Sequence, residues 1–390
     1  MKKKFEIVFI CLFGLFVLTV GGLTVTRNTD TYSYYENRNL VSFPECYAET
    51  VADGSYFSGV ETYLSDHAFA RNTMMKLKTR GDLLLRRPVV NEIVVTEEAL
   101  LPYYSYNPGN IPEDAAVIAE NLKSVRECTE QYGGEFYFMA VPTQSMLFQD
   151  SYPAYLNGWD QYVAQVREEL FPRLQEAGVD YIDLDQIYRD LGKSDDIRST
   201  IDHHYNLEGA YLAYRALMDQ VTVETDVLTE DEFAYVELPN PTIGSRSKKL
   251  YGLTGFVEPI SYMELKSPVG FIRTNAGQPA EATVYKWPAN TWETVEYGFY
   301  MGGDFSNTVI DTGREELPTI LIYGESFTNA LETIVYYSFD EMHSLDFRDN
   351  TGITLEEYIA AIQPDVVVCM RDYNIMMDPT GNGQGAYGTE

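Results

Sequence analysis

The 390-residue chain is expected to fold as an α/β protein with a doubly wound, mostly parallel sheet, a β-rich insertion and an N-terminal transmembrane helix. Three observations lead there. Apolar runs of strand length alternate with segments of helical period and short loops, the pattern of a parallel sheet covered by helices on both faces. The block 222–317 lacks helical periodicity and is rich in Gly, Pro, Thr, Tyr and Val, with turn signals such as Asn-Ala-Gly and Met-Gly-Gly. A nearly unbroken apolar run fills residues 5–25, enough to cross a bilayer as a helix.

Composition narrows the function classes. With 45% hydrophobic residues and 31 tyrosines, the chain can bury a large core. A net charge of −31 argues against nucleic acid as a partner, because neutralising phosphates takes Lys and Arg. Cys11 lies in the apolar run, and Cys46, Cys128 and Cys369 are odd in number and far apart. No disulfide framework follows, and the absence of C-x-x-C or a Cys/His cluster speaks against structural zinc. No cofactor and no resident metal are expected.

Taken in order, Lys2, Lys3 and Lys4 precede the apolar run and place the amino terminus in the cytoplasm by the positive-inside rule. Without a small-residue cleavage pattern, residues 1–26 read as an uncleaved anchor, and everything from Arg27 onward as exported. Residues 27–90 are a tether with juxtamembrane helices. Glu36–Glu45 is extended, and Gly54–Arg87 has the apolar spacing of one or two helices, with its basic second half on a solvated face or, near the membrane, against anionic head groups. Asn91–Tyr104 reads as a β-hairpin.

The α/β domain is expected from 91–221 together with 318–390, interrupted by the insertion. Glu113–Tyr132 is a helix ended by Gly133 and Gly134, followed by the strand GEFYFMAVP. Trp159–Ala177 is a helix closed at Gly178, and VDYIDLDQIY, residues 179–188, reads as a strand. After the insertion come strand Thr319–Tyr323, helix Phe327–Phe339, strand Met342–Phe347, helix Leu355–Ile362 and strand Asp365–Met370.

Two of only four histidines stand together in IDHHYNLEGA, residues 201–210. In extended backbone Asp202 and His204 share a face while His203 looks away. Asn206 is placed to cap the helix that follows. Ligands of doubly wound sheets bind beyond the carboxyl ends of the strands, so a nucleophile belongs at another strand end. Gly324-Glu325-Ser326 is such a place: an apolar strand, a tight turn, then serine at a helix start, the physics of a nucleophile elbow. Only half of G-x-S-x-G is present, since Thr328 holds the second Gly position.

These residue types fit acyl transfer. Asp202 would orient His204, His204 would take the proton of Ser326, and Ser326 would attack an ester carbonyl. The oxyanion would rest on the Ser326 N–H in the turn begun by Gly324, with Thr143, Gln144 and Arg371 as further donors at other strand ends. Tyr205, Tyr323 and Phe327 are expected as site walls, His67 as structural, and His343 on a strand near the far edge of the sheet, packed or facing solvent. The bland alternative makes Asp202 and Asn206 turn and cap residues, and Ser326 a plain N-cap. A gap above about 8 Å between Ser326 and His204 would sink the triad.

The order Asp-x-His then Gly-x-Ser, with NRNLVSFPE, GSYFSGVETYLSDHAFAR, GSRSKKLYG, LDFRD and QPDVVVCM, resembles the DHHW family and the related alginate O-acetyltransferases. The likeness covers most of the exported chain. It implies an SGNH-hydrolase-like fold with circularly rearranged motif order, and Asp202, His204 and Ser326 as its triad. For relatives of known activity it implies acetyl transfer onto exported polysaccharide. Tyr205 stands where the family name has Trp, and Glu325 where Asp is common. The acceptor implied is an exported polysaccharide. A single anchor cannot carry acetyl groups across a bilayer, so a multi-span membrane acyl-transfer partner is expected as well.

Other readings stand beside this one. The scaffold could be a non-catalytic polysaccharide-binding or assembly protein. Asp202, His203 and His204, with Asp183 and Asp185 close before them, could supply Mn²⁺ or Zn²⁺ ligands of a phosphoesterase. An esterase would use the same acyl-enzyme as a transferase.

Overall fold

The apolar run forms one helix, α1 (Lys2–Arg27), in which Lys4–Thr24 is long and apolar enough to span a membrane by length and composition. The computed structural model describes residues 2–27, 30–103, 109–156, 159–346, 348 and 353–379. Its packing separates two units, Met1–Ile93 with Ser247–Gly255, and Val94–Arg246 with Phe256–Glu390.

In the first unit the region 54–87 divides into α2 (Ser55–Asp66) and α3 (Arg71–Leu84). Asp66 closes α2 and holds the preceding extended segment. Arg38 binds its carboxylate twice, at 2.8 and 2.6 Å, and the Val41 N–H donates to it at 3.1 Å. The Arg38 bonds, against a smaller burial penalty, bring the Asp66 carboxyl down to about 2. His67 is buried, stacked on Tyr63 at 4.1 Å.

Strands β1 (Ile93–Val95) and β2 (Leu100–Pro102) make the expected hairpin; Tyr104 lies outside the described residues. Then come α4 (Ile111–Gln131), β3 (Glu135–Val141), α5 (Trp159–Glu176), β4 (Asp180–Asp183), α6 (Leu184–Asp190) and α7 (Leu207–Met218). Residues 222–317 contribute β5 (Phe233–Glu237), β6 (Ser261–Leu265), β7 (Ile272–Asn275), β8 (Gln278–Ala280) and β9 (Asn307–Asp311). The chain continues through β10 (Ile320–Gly324), α8 (Thr328–Val335), β11 (Glu341–Asp346), α9 (Leu355–Ile362) and β12 (Val366–Asp372).

The main sheet has eight strands in the order β8-β7-β9-β11-β10-β12-β3-β4. Neighbours from β11 through β4 are parallel. On the other side β9, β7 and β8 continue the sheet antiparallel. The sheet is therefore mixed and mostly parallel, and both faces are covered. Successive residues of a strand point to opposite faces. Tyr137, Met139, Ile322 and Val368 accordingly pack with α6, α7 and α8, whereas Phe138, Leu321, Val367 and Cys369 pack with α4, α5 and α9.

Three expectations are corrected. Only the first part of 179–188 is a strand, since α6 begins at Leu184. Asp185 and Arg189 sit one turn apart and pair at 2.9 Å, a spacing that favours helix over strand. The helix expected over Phe327–Phe339 is α8 followed by a single 3-10 turn, Tyr336–Ser338. His343 sits inside the sheet, on β11 between β9 and β10, where Glu341 and Tyr358 hold its ring nitrogens at 2.9 Å each. Phe347, expected to end that strand, lies outside the described residues.

Candidate active site

Ser326 follows the carboxyl end of β10. That strand can leave the sheet tightly because residue 324 has no side chain. A Cβ on Gly324 would stand 2.4 Å from the Met370 carbonyl oxygen of β12. The turn then closes on itself, as the Thr328 N–H donates to the Glu325 carbonyl at 2.9 Å and the Asn329 N–H to the Ser326 carbonyl at 3.2 Å. Glu325 is held from outside by Arg371 Nη1 at 3.1 Å.

The Asp-x-His pair approaches from the loop before α7. Asn206 caps that helix, accepting the Gly209 N–H at 3.1 Å. Residues 201–204 form a bend and not the extended segment expected. Asp202 Oδ1 accepts both the His204 backbone N–H at 3.1 Å and His204 Nδ1 at 2.6 Å, so an Asx turn brings the two side chains together. Two neighbours fix the carboxylate. The Asp202 backbone N–H donates to Ser199 Oγ at 2.9 Å, and the Ser245 N–H donates to the carboxylate Oδ2 at 2.6 Å. Ser199 and Thr200 are in turn hydrogen bonded to Glu258.

With a proton on Nδ1 facing Asp202, Nε2 is left as acceptor, and it lies 2.8 Å from Ser326 Oγ. The ring of His204 lies flat on Tyr297 at 3.6 Å and tilts against Phe327 at 4.8 Å, so its rotation is blocked on both sides. Asp202 and His204 are 8% and 6% exposed, dry enough for their charges to matter. Burial alone would raise the Asp202 pKa. The adjoining His203 and His204, with the bonds from His204 and Ser245, outweigh it and hold the group well below the carboxylate range. It is therefore an anion at neutral pH.

Gln144, Arg371 and Tyr205, also singled out from sequence, are occupied elsewhere. Gln144 gives both amide hydrogens to backbone, to Ser199 at 2.9 Å and Leu100 at 3.1 Å, and its oxygen accepts from Arg246 Nε at 3.2 Å. It braces the loop and has no side-chain donor left for an oxyanion. Arg371 turns to Glu325, as described. Tyr205 is buried and donates to the Phe327 carbonyl at 2.6 Å, tying the Asp-x-His loop to the serine turn. Thr143 is 2% exposed, and its Oγ1 makes no hydrogen bond among the described residues. Tyr323, expected as a wall, faces the α4–α5 side of the sheet within the core. His203 leans on Ser245 Oγ at 2.7 Å beside the His204 ring.

Asp202, His203 and His204 offer ligand atoms within 4.8 Å of one another, the geometry a metal would need. Both His204 nitrogens are already engaged, however. Asp183 and Asp185, the further ligands considered, pair with Arg167 at 2.9 and 2.8 Å.

Residues 104–258 match the family model described as SGNH hydrolase-like domain, acetyltransferase AlgX. Among solved structures, PatB1 of Bacillus cereus with a sulfonyl adduct superposes with a TM-score of 0.60 at 16% identity, covering 73% of this chain and 95% of its own. A DHHW family protein of Eubacterium siraeum gives 0.58 at 17% identity, covering 77% and 97%. Residues 104–258 are thus SGNH-hydrolase-like in sequence, and the chain shares the fold of these two structures. No curated protein matches it.

Within this SGNH-like domain, the residues missed from sequence are those that clamp the acidic member of the pair: Ser199, Gly244, Ser245, Glu258 and, against the imidazole, Tyr297. Only the GSRSKKLYG resemblance marked any of them. A second buried acid flanks the site at the end of β12. Burial is the main cause that pushes the Asp372 carboxyl up to about 7, opposed by the Asn374 N–H at 2.8 Å. Between its ordinary value of 3.8 and about 7, the folded chain keeps a proton that the unfolded chain has lost, so this group costs stability as pH rises. Asp372→Asn keeps an acceptor for Asn374 and is expected to raise the melting midpoint more at pH 8 than at pH 4. Equal shifts at the two pH values would place the titration elsewhere.

Proposed function

We propose that the chain is an exported, membrane-anchored serine acyl-transfer enzyme, an O-acetyltransferase acting on polysaccharide, with Ser326, His204 and Asp202 as its triad. The observation that carries this is the unbroken series of hydrogen bonds from Asp202 through His204 to Ser326 Oγ. Ser326 Oγ attacks the acetyl carbonyl of the donor while its proton passes to His204 Nε2. Asp202, already anionic and aligned on Nδ1, stabilises the imidazolium. The oxyanion rests on the Ser326 N–H, a donor of a kind worth about 3 kcal/mol in such sites. His204 returns the proton to the departing donor group, leaving an acetyl ester on Ser326. A sugar hydroxyl then gives its proton to His204 and takes the acetyl group, which restores the serine. Water in place of the sugar makes the same cycle an esterase.

In this reading α1 is the anchor, and the domain beyond it faces away from the cytoplasm. The acetyl donor is supplied by a multi-span membrane partner, since one helix cannot pass acetyl groups through a bilayer. The test is labelling with a serine-reactive phosphonate. The folded chain should gain one adduct, mapped to Ser326 by peptide mass spectrometry. An unlabelled Ser326 in folded protein would leave a binding or assembly role in its place.

A further inference from the structure

A cavity of about 290 Å³ lies beside the acid–base pair, and its walls include Asp202 and His204 but not Ser326. Its chemistry is lopsided. Aromatic surface comes from Tyr297, the ring under His204, and from Tyr235, which is 55% exposed at the wall. Besides Asp202 the walls carry the carboxyl groups of Asp196, Glu208, Glu237 and Glu258. Glu237 is exposed and has no side-chain partner among the described residues.

Lys193, just outside the walls, pairs with Asp196 at 2.9 Å and Glu208 at 2.8 Å, and Glu258 accepts from Ser199 and Thr200, so the unbalanced negative charge is that of Asp202 and Glu237. The single cation in the walls, Arg198, is spent. Its guanidinium donates to the Leu147 carbonyl at 3.1 Å, pairs with Asp195 at 3.1 Å and lies 4.1 Å over the Phe148 ring. The arginines nearest to His203 outside the walls are tied too: Arg246 to Gln144, and Arg348 to Asp304 and Asp346. A ligand here must donate hydrogen bonds to carboxylates, offer an apolar face to tyrosine rings and carry no negative charge.

We infer that this cavity binds an uncharged pyranose unit of the acceptor glycan and discriminates against uronates. Sugar hydroxyls donate charge-assisted bonds to carboxylates, and the C–H face of the ring lies on an aromatic side chain. A uronate would bring its own carboxylate beside the uncompensated carboxylates of Asp202 and Glu237. The inference rests on the acyl-transfer reading for the identity of the glycan as acceptor.

The experiment measures binding to the full chain in neutral detergent at 0.15 M salt, by calorimetry. The probes are tetrasaccharides of glucose, galactose and N-acetylglucosamine, set against oligogalacturonate and oligomannuronate. At least one neutral tetrasaccharide should bind tenfold or more tighter than either uronate. Tyr235→Ala should weaken it about tenfold, and Glu237→Lys should narrow the gap between neutral and uronate ligands, both variants keeping the parent melting midpoint. Equal or tighter uronate binding, no binding by any probe, or an unchanged preference in both variants overturns the inference. Phosphonate labelling of the same preparation separates the two ideas. Labelled enzyme that prefers uronates sinks only the specificity, while an unlabelled protein that binds neutral sugars sinks only the acyl chemistry.

Discussion

Replacing Ser326 by alanine is expected to lower turnover of a chromogenic acetyl ester by roughly 10⁴- to 10⁶-fold, the scale on which a triad nucleophile acts with its base as one unit. The substitution removes one hydroxyl, which bonds His204 Nε2 at 2.8 Å. The rest of the turn is held by the backbone bonds of Thr328 and Asn329 and by the missing Cβ of Gly324, none of which depends on the serine oxygen. The melting midpoint should therefore stay close to that of the parent. Turnover within tenfold of the parent, in protein that melts normally, would mean that hydrolysis proceeds by another group.

Gly244→Ala should damage activity and stability together, without touching any group that carries a proton. A Cβ at that position would stand 2.3 Å from the Ile201 carbonyl oxygen and 2.9 Å from the Asp202 Cβ. The obstruction on the first side is backbone, which cannot step aside as a flexible side chain would. Ser245, next in sequence, gives its N–H to Asp202 Oδ2 at 2.6 Å, so any retreat by residue 244 drags the carboxylate from His204 Nδ1. A displacement of about 1 Å in such a constellation costs on the order of 10²-fold in kcat. Overpacking of this kind costs about 1–3 kcal/mol of stability. Urea unfolding and ester turnover read the two effects separately, and parent values in both would show that the loop yields without resistance.

The sheet was legible because its parallel strands are buried on two faces, which leaves unbroken apolar runs such as 136–141 and 366–370 in the sequence. What could not be read was pairing across long distances. Nothing in 272–311 announces that β7, β8 and β9 extend the main sheet, since antiparallel edge pairing leaves no local mark. Asp185 read as strand because periodicity over ten residues cannot separate a short strand from a following turn of helix. At the site, the residue types and their order sufficed to nominate Asp202, His204 and Ser326, and their atoms lie in hydrogen-bond series. The local backbone differs from the alternation expected there, because an Asx turn makes the Asp–His pair. Gln144 and Arg371 stand at strand ends where donors are expected, and nothing in the sequence shows that two carbonyls and a carboxylate claim them.

The order of the strands also decides when the molecule becomes chemically competent. His204 and Ser326 are 122 residues apart, and β10, which delivers the serine, is flanked by β11 and β12, both synthesised after it. Strand β3 pairs with β12 as well, so the two halves of the sheet meet only through the final strand, which ends at Asp372. On the acyl-transfer reading, the turn that carries Ser326 is fixed in the sheet only once β12 has docked, so a chain that lacks this strand is expected to turn over esters far more slowly. Contacts of such sequence separation close slowly. On refolding, recovery of turnover will keep pace with the last strand to dock and lag behind the return of helical signal.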